Sequence, residues 1–313
     1  MQKLMSSNRE TSHNYQKLSE FINNHWKANH ILSKNKNLFD SIYLNKNNSF
    51  NILTQYEKEN IISFLGYIPH SFYDKSLVTN DICYIALWFK HKKINGSFAI
   101  KSLIELMQEN WSMIASIGIN DNVKKIYQKL NFKVISMEHY FEKVDISLSL
   151  KNKFFLEIRK SNFDIPSDNI NYKSNKFIYN KYIVNKFYNY HVIKFDEDLK
   201  NSIFVLRKIS TPGKSIMRMI DFIGDIESIN IQKNNLLKFS KLHNCDHFDF
   251  FIAGENELKM KYIKTDERNF LPIYTEPVIN KYSKINVAFK KFKENKNIYF
   301  FKGDGDQDRP NKI

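Results

Sequence analysis

Apolar residues in the first half of the chain follow, in turn, the patterns of buried strands and of one-sided helices. Ile82–Phe89 is an almost unbroken apolar run with β-branched and aromatic members, which predicts a strand buried on both faces. Apolar residues at helical spacing then predict a helix over Phe98–Asn110, and an earlier one over Tyr15–His30. A further strand, helix and strand are predicted at Ser112–Ile119, Asn122–Leu130 and Phe132–Phe141.

The second half of the chain repeats this order of elements. A polar stretch over 161–176 is the best candidate for a linker. Beyond it the pattern predicts a strand at Ser215–Ile223, a helix at Gln232–His243 and a strand at His247–Ala253. The sequence therefore predicts an α+β protein of two tandem lobes, residues 1–160 and 161–313, each with a mixed sheet flanked by helices.

Composition and charge narrow the class of protein. The chain has 313 residues, 42% of them apolar, and a net charge of +15. The lysines are spread along the whole chain, which indicates a solvated basic surface rather than a nucleic-acid stripe, so no nucleic-acid partner is expected. Such a field also attracts a smaller anion, for example the phosphates of a nucleotide or coenzyme.

Cysteine usage and hydropathy bear on metal binding and on location. Cys83 and Cys245 are isolated, which favours two buried reduced thiols over a metal pair. The N-terminal residues contain no apolar core of a signal peptide, and Ile82–Phe89 is too short to cross a bilayer. A cytoplasmic protein with no integral membrane contact and no bound metal is expected.

The segment after Ile82–Phe89 has the character of a phosphate-binding loop. A basic stretch, His91, Lys92 and Lys93, leads through Gly96 into the helix that begins at Phe98. Backbone N–H groups at the start of a helix have no partner within the helix, so they suit a pyrophosphate. The neighbouring cations add to that attraction.

This arrangement resembles the GNAT superfamily of acyl-CoA-dependent N-acyltransferases. Lys93–Phe98 stands where that superfamily has its coenzyme A loop, although Lys93 replaces the usual Arg or Gln and Phe98 replaces a small residue. Asn122, Tyr127 and Phe132 stand where its second motif flanks the pantetheine, with Asn131 in place of a glycine. The resemblance implies two GNAT-like lobes, acyl-CoA as the co-substrate, and these cofactor-binding residues: Trp88, Phe89, His91, Lys92, Lys93, Asn95, Gly96, Ser97, Phe98, Ala99 and Asn122. The alternative is a generic α/β domain in which Tyr127 and Phe132 are core residues.

The two-lobed order and the ending Phe300–Ile313 resemble a narrower group, the bacterial N-acyltransferases of nucleotide-linked amino sugars. That resemblance implies transfer of an acetyl or 3-hydroxybutyryl group to a dTDP-linked 3-amino-3,6-dideoxyhexose, for O-antigen or capsule synthesis. The implied substrate-binding residues are Tyr182, Tyr188, Tyr190, Asp304, Asp306 and Arg309.

The aspartates near the C-terminus have the spacing of a calcium loop. Arg309 stands where such a loop needs glycine, and the bidentate glutamate has no counterpart, so calcium binding is not expected. A folded loop that presents Asp and Arg side chains to a polar ligand is the preferred interpretation. A purely structural Asp–Arg clasp is the equal alternative.

The implied reaction is direct attack of an amine on the thioester of acyl-CoA. Backbone N–H groups along Tyr84–Phe89 would polarise the carbonyl, and Tyr127 would donate a proton to the leaving sulfur. The base stays open among His70, Tyr84, Asp221 and Glu276. No Ser–His–Asp order or metal-ligand spacing is present, which disfavours covalent and metal chemistry.

Two other functions remain as alternatives. Fem-type aminoacyl-tRNA-dependent transferases share a two-lobed GNAT-like architecture, and the net positive charge suits tRNA. A non-enzymatic nucleotide- or RNA-binding protein is the third hypothesis. Neither explains the coenzyme-A-like loop.

Overall fold

The fold is taken from a computed structural model. It describes residues 8–94, 98–145, 147, 149, 154–162, 173–196, 198, 200–211, 213–272, 281–294 and 297–308. In the first half of the chain the strands are β1 (Asn8–Thr11), β2 (Ser49–Glu57), β3 (Asn60–Pro69), β4 (Ile82–Lys90), β5 (Met113–Ile119) and β6 (Lys133–Lys143). In the second half they are β7 (Phe155–Glu157), β8 (His191–Phe195), β9 (Ile203–Thr211), β10 (Lys214–Ile223), β11 (His247–Gly254), β12 (Ile263–Lys264), β13 (Ile285–Lys291) and β14 (Tyr299–Phe301).

The helices are short and flank the sheet. They are α1 (Tyr15–Phe21), α2 (Ile31–Lys34), α3 (Lys36–Tyr43), α4 (His70–Tyr73), α5 (Phe98–Met107), α6 (Asp121–Lys129), α7 (Asn175–Ile178), α8 (Glu227–Ile231) and α9 (Lys233–Leu242). Wide π-type turns extend α1 over Ile22–Trp26 and α7 over Tyr179–Ile183. None of the helices in the described ranges is both long enough and apolar enough to span a membrane.

The α+β fold class predicted from the sequence is confirmed: a mixed sheet is flanked by helices. The predicted strands and helices lie within a few residues of β4, α5, β5, α6, β6, β10, α9 and β11. The helix predicted over Tyr15–His30 is regular only to Phe21, because the wide turn over Ile22–Trp26 follows. The pattern did not predict the β2–β3 hairpin, which is buried over most of its length and so lacks strict alternation.

The strands found in the described residues belong to one sheet of 14 strands. Strand β13 comes from the second half of the chain but lies between β5 and β6, antiparallel to both. Strand β6 pairs with β13 at residues 133–137 and with β11 at residues 138–143. The division of the chain into two lobes at residue 160 stays a prediction. Strand β13 belongs to the second of these lobes in sequence but pairs with strands of the first.

A buried ionic cluster joins the C-terminal segment, residues 302–308, to Lys173 and to Asp221 of β10. Lys173 Nζ lies 2.5 Å from Asp221 Oδ1 and 3.0 Å from Asp304 Oδ1. The Tyr182 hydroxyl donates to Asp221 Oδ2 at 2.7 Å. Burial acts to raise the pKa of Asp221, but Lys173 and Lys181 beside it bring that pKa below its ordinary value. The Asp221 carboxylate is therefore ionised and paired.

The same cluster fixes the backbone that follows β14. Lys181 Nζ donates to the Gly303 carbonyl at 2.6 Å, and the Phe301 N–H donates to Asp304 Oδ2 at 2.9 Å. Burial raises the pKa of Asp304, with Lys173 acting in the opposite direction. Two lysines thus neutralise two carboxylates in a region closed to water, where an unpaired charge is costly.

We expect Lys173→Met to lower the free energy of unfolding by about 3–5 kcal/mol, because it leaves two buried carboxylates short of their cation. The matched control is Lys200→Met, which removes an ion pair with Asp225 whose side chains are 45% and 48% exposed. That control should cost about 1 kcal/mol or less. Urea unfolding of both variants measures the difference, and equal small losses would show that the buried cluster is not needed for stability.

Candidate active site

Strands β4 and β5 are parallel neighbours that separate half-way along their length. They pair only from Ile82 with Met113 to Ile85 with Ser116, although both strands continue beyond those residues. On its other side β4 carries a β-bulge at Ala86, because Ile85 and Leu87 lie opposite consecutive residues of β3. Among the described residues no strand fills the space between β4 and β5 beyond Ile85. The two strands therefore diverge beyond Ile85, and the gap between them is called the opening below. Gly305 and Gln307 lie against Tyr84 of β4 and Gly118 of β5.

Tyr127 of α6 lies near the point where the two strands part. Its ring packs edge-to-face on Trp88 of β4 at 5.6 Å and on Phe132 at 4.9 Å. Burial raises the pKa of Tyr127, while the hydroxyl of Ser116 acts in the opposite direction. Ser116 Oγ in turn donates to the Ile85 carbonyl at 3.3 Å, at the last paired position. Tyr127 is thus protonated at neutral pH and lies beside the opening.

The second half of the chain contains the same arrangement with its opening filled. Strands β10 and β11 are parallel and pair only as far as Met219 with Phe250. Strand β10 has its own β-bulge immediately afterwards, at Ile220. There, however, β14 pairs with the end of β11, and the Gly303 N–H donates to the Ile220 carbonyl at 2.8 Å. The opening between β10 and β11 is therefore filled by β14 and the residues that follow it.

A cavity of about 220 Å³ lies next to the bulge in β4. It is bounded by the wide turn after α1, by α2 and α3, by β4 and by the C-terminal segment, and its lining residues include Leu38, Ile42, Tyr43, Ala86, Leu87 and Gly305. Polar side chains also belong to this lining, among them His30, Tyr188, Asp306 and Gln307. The cavity therefore combines an apolar wall with a few polar groups, as small-molecule sites do.

The C-terminal wall of this cavity is anchored at both ends. Asp304 is held in the ionic cluster, while Asp308 accepts from the Tyr190 hydroxyl at 2.5 Å and its carbonyl accepts from Arg207 at 2.8 Å. Between these anchors Gly305 and Asp306 both have φ of +62°, which turns the backbone sharply. This turn brings Asp306 to the cavity.

Four of the predicted cofactor-binding residues, Trp88, Phe89, Phe98 and Ala99, lie near the end of β4 and at the start of α5. Trp88 Nε1 donates to the Ala99 carbonyl at 3.1 Å, which ties the strand to α5. The ring of Phe89 stacks on Phe21 at 5.2 Å. Phe98 and Ala99 begin α5 and are half-buried.

The basic loop between β4 and α5 is partly described. His91 Nδ1 accepts from the Lys93 N–H at 3.1 Å, and Lys92 and Lys93 are exposed. Asn95, Gly96 and Ser97 lie outside the described residues. In α6, Asn120 is the residue that caps the helix, since its side chain accepts from the Val123 N–H at 3.0 Å, and Asn122 is exposed in the first turn.

Three of the predicted bases, His70, Tyr84 and Asp221, are not among the lining residues of the 220 Å³ cavity. His70 packs on Tyr84 at 5.3 Å and on Phe177 at 4.6 Å. Tyr84 packs beneath Gly305, and Asp221 is held in the ionic cluster. Glu276 and Arg309 lie outside the described residues. The catalytic roles of these residues stay predictions.

The predicted substrate-binding residues divide between the cavity and its support. Tyr188 and Asp306 line the cavity. Tyr182, Tyr190 and Asp304 form the hydrogen bonds and ion pair that hold the C-terminal segment from behind. The structure therefore places a cavity-lining residue, Asp306, and a buried ion-paired residue, Asp304, in the same loop.

Two polar cavity residues were not predicted from the sequence. His30 is buried, and its Nδ1 accepts from the Leu32 N–H at 3.2 Å, so the neutral ring carries its proton on Nε2. Gln307 lies against Gly118 of β5. Neither residue belongs to a motif, and only the folded arrangement places them beside β4.

No protein-family model matches this chain, and no curated protein matches it in sequence. Solved structures do match. A GCN5-related N-acetyltransferase from Anabaena variabilis is 12% identical, over 92% of this chain and 72% of its own, with a TM-score of 0.58. One from Kribbella flavida is 7% identical, over 90% and 70%, with a TM-score of 0.56. A protein from Pyrococcus horikoshii is 10% identical, over 94% and 92%, with a TM-score of 0.53. At these identities the comparisons establish the fold: the chain has the fold of the GCN5-related N-acetyltransferases.

Among the residues that the structure describes, no three His, Cys, Asp or Glu side chains are grouped so as to hold a metal ion.

The contact between Gly118 and Gln307 can be tested with two glycines of the same backbone conformation. Gly118 and Gly213 have φ of +79° and +77°, so alanine should cost each about 1 kcal/mol of stability. At Gly118 an added Cβ would also lie 2.6 Å from Gln307 Oε1, whereas at Gly213 nothing lies within 4 Å. Because the amide end of the Gln307 side chain can move aside, the two variants should lose similar stability, but Gly118→Ala alone should speed amide exchange over 303–308. Unchanged exchange in Gly118→Ala would show that the contact between Gly118 and Gln307 does not hold the segment.

Proposed function

We propose that this protein is an acyl-CoA-dependent N-acyltransferase and that its acyl-CoA lies in the opening between β4 and β5. One observation carries the proposal. A parallel strand pair parts at a β-bulge beside a small cavity, while the equivalent opening between β10 and β11 is filled by β14. An extended thioester arm can therefore reach the cavity through the first half of the chain.

The co-substrate fits the groups that border this opening. Backbone groups of β4 beyond Ile85 have no β5 partner, so they can pair with the amides of an extended pantetheine arm. At the far end of the strand, exposed Lys92 and Lys93 precede the start of α5 and supply positive charge for a pyrophosphate. Tyr127 lies at the opposite end of the opening, where the thioester would be.

In the reaction we propose, the acceptor amine occupies the 220 Å³ cavity and attacks the thioester carbonyl beside Ala86. The N–C bond forms and the C–S bond breaks, with the oxyanion held by backbone N–H groups of β4. Tyr127, whose hydroxyl burial keeps protonated by raising its pKa, donates its proton to the leaving sulfur. Asp306 accepts the proton lost by the amine, directly or through water. Positioning of both substrates supplies much of the rate.

For the acceptor we propose the amino group of a nucleotide-linked sugar, of the dTDP-3-amino-3,6-dideoxyhexose type used for surface polysaccharide. The acyl group would be acetyl or 3-hydroxybutyryl. The resemblance carried by the C-terminal segment supports this choice. The mixed lining of the cavity supports it too, because Asp306, Gln307 and Tyr188 can bond a hydroxylated ligand while the α3 side chains pack on its apolar face.

Thiol release tests the reaction and the role of Tyr127 together. The purified protein is mixed with acetyl-CoA or 3-hydroxybutyryl-CoA and a panel of nucleotide-linked amino sugars, and free coenzyme A is followed. We expect release that needs both an acyl-CoA and one sugar, and a fall in kcat of about 100-fold or more for Tyr127→Phe. The Michaelis constant for acyl-CoA should change little, because Phe preserves the packing against Trp88 and Phe132.

The matched control is Tyr262→Phe, which removes a buried hydroxyl bonded to the Ile229 carbonyl in the second half of the chain. Its turnover should equal that of the unmodified protein. Equal turnover by Tyr127→Phe would remove Tyr127 from the mechanism. No release with any amine, combined with release from aminoacyl-tRNA, would replace the proposal with the Fem-type alternative.

Hydrogen exchange with coenzyme A tests which opening is used. Binding should slow exchange of the β4 amides at 86–90 and the β5 amides at 117–119, because the ligand would cover and pair with that backbone. The amides at 220–223 and 252–254 serve as the internal control, since β14 already occupies their opening. Protection of the second set, without the first, would contradict the assignment of the cofactor to β4 and β5.

A further inference from the structure

A second, larger groove lies where the first half of the chain meets α7. Its volume is about 490 Å³. Three separate segments form it: the loop after α3 with the start of β2, the end of β3 with α4, and α7 with the turn that follows it. Its lining residues are Leu44, Asn45, Lys46, Asn47, Asn51, Pro69, Ser71, Phe72, Tyr73, Lys75, Lys176 and Asn180.

The charge of this groove is entirely positive. Lys46, Lys75 and Lys176 come from three different segments, and no carboxylate belongs to the lining. None of the three lysines forms an ion pair among the residues that the structure describes. Asp74 is the acidic neighbour of Lys176, but its carboxylate already accepts from Ser76 and Ser174. The lysines are therefore available to an anion.

A buried amide in the lining also lacks a partner. Asn45 Oδ1 accepts from the N–H groups of Asn47 and Ser49 and from the Ser49 hydroxyl, so the orientation of the Asn45 amide is fixed. Its Nδ2 then donates to Asn51 Oδ1 at 3.3 Å. Asn51 is only 6% exposed, and its Nδ2 has no hydrogen-bond partner among the described residues. A buried donor of this kind is costly unless a ligand or water accepts from it.

We propose that this groove binds a phosphate-bearing ligand. Three cations and a residue with an unsatisfied amide donor share its lining, and a phosphate offers only acceptor oxygens and negative charge in return. Phe72 adds a half-buried aromatic face on which the organic part of such a ligand can pack.

The groove is separate from the proposed pyrophosphate position of coenzyme A. Pro69, which lines the groove, lies opposite Cys83 near the beginning of β4, whereas the basic loop follows Lys90. The length of β4 puts the two about 25 Å apart. The inference does not depend on acyl transfer, because binding is measured directly.

The test is titration calorimetry with pyrophosphate at constant ionic strength. The groove variant Lys46→Ala/Lys75→Ala/Lys176→Ala is compared with Lys34→Ala/Lys160→Ala/Lys259→Ala, which removes three exposed lysines elsewhere. We expect saturable binding that the groove variant weakens by about tenfold or more and the control leaves unchanged. Asn51→Leu should weaken it as well, without loss of lysine charge. Equal weakening in both triple variants would attribute binding to the net charge of the chain and overturn the proposal. Absence of saturable binding would also overturn it, because it would show that the groove does not bind phosphate.

Further titrations distinguish the source of the phosphate. A nucleoside diphosphate that binds more tightly than pyrophosphate, with the gain lost in Phe72→Ala, identifies a nucleotide ligand packed on that ring. A nucleoside diphosphate and pyrophosphate of equal affinity identify the phosphates alone as the recognised group. If coenzyme A competes with pyrophosphate for the groove, the separation of the two sites is wrong.

Discussion

The pairing of β6 with two different partners joins the halves of this protein. One end of the strand pairs with β13 and the other with β11, so neither half can complete its sheet without backbone from the other. Strand β13 is also the outer partner of β5. Because β5 is held on that side, β4 and β5 can part without leaving β5 at an exposed edge. The opening that we assign to acyl-CoA thus depends on a strand contributed by the end of the chain.

The return of β13 to the first half also determines where the C-terminus goes. Strand β14 follows soon after β13 and pairs with β11, where it fills the opening of the second half. The chain continues directly into the segment that walls the cavity beside β4. The two halves thus use the same strand arrangement differently. In the second half β14 fills the opening, and the residues that follow β14 place the polar side chains of Asp306 and Gln307 at the cavity of the first half.

The sequence predicted those features that depend on local pattern. The continuous apolar runs of β4, β5, β10 and β11 identify strands buried on both faces, and helical spacing places Tyr127 on α6. It did not predict β13 between β5 and β6, since strand pairing across 150 residues is set by tertiary packing and not by periodicity. The buried ion pair of Lys173 and Asp221 could not be predicted from the sequence either. Charged residues are usually exposed, and these two are distant in sequence.

The alternating aspartates near the C-terminus show how one short segment serves both stability and binding. Asp304 and Asp308 are buried and anchored, the first by Lys173 and the second by Tyr190. Asp306, between them, lies in a left-handed turn and lines the cavity. A ligand that bound Asp306 would be attached to a rigid wall, because displacing that residue means breaking the buried ion pair of Asp304 on one side and the hydrogen bonds of Asp308 on the other. The spacing that suggests a calcium loop is instead explained by two anchors with a cavity residue between them.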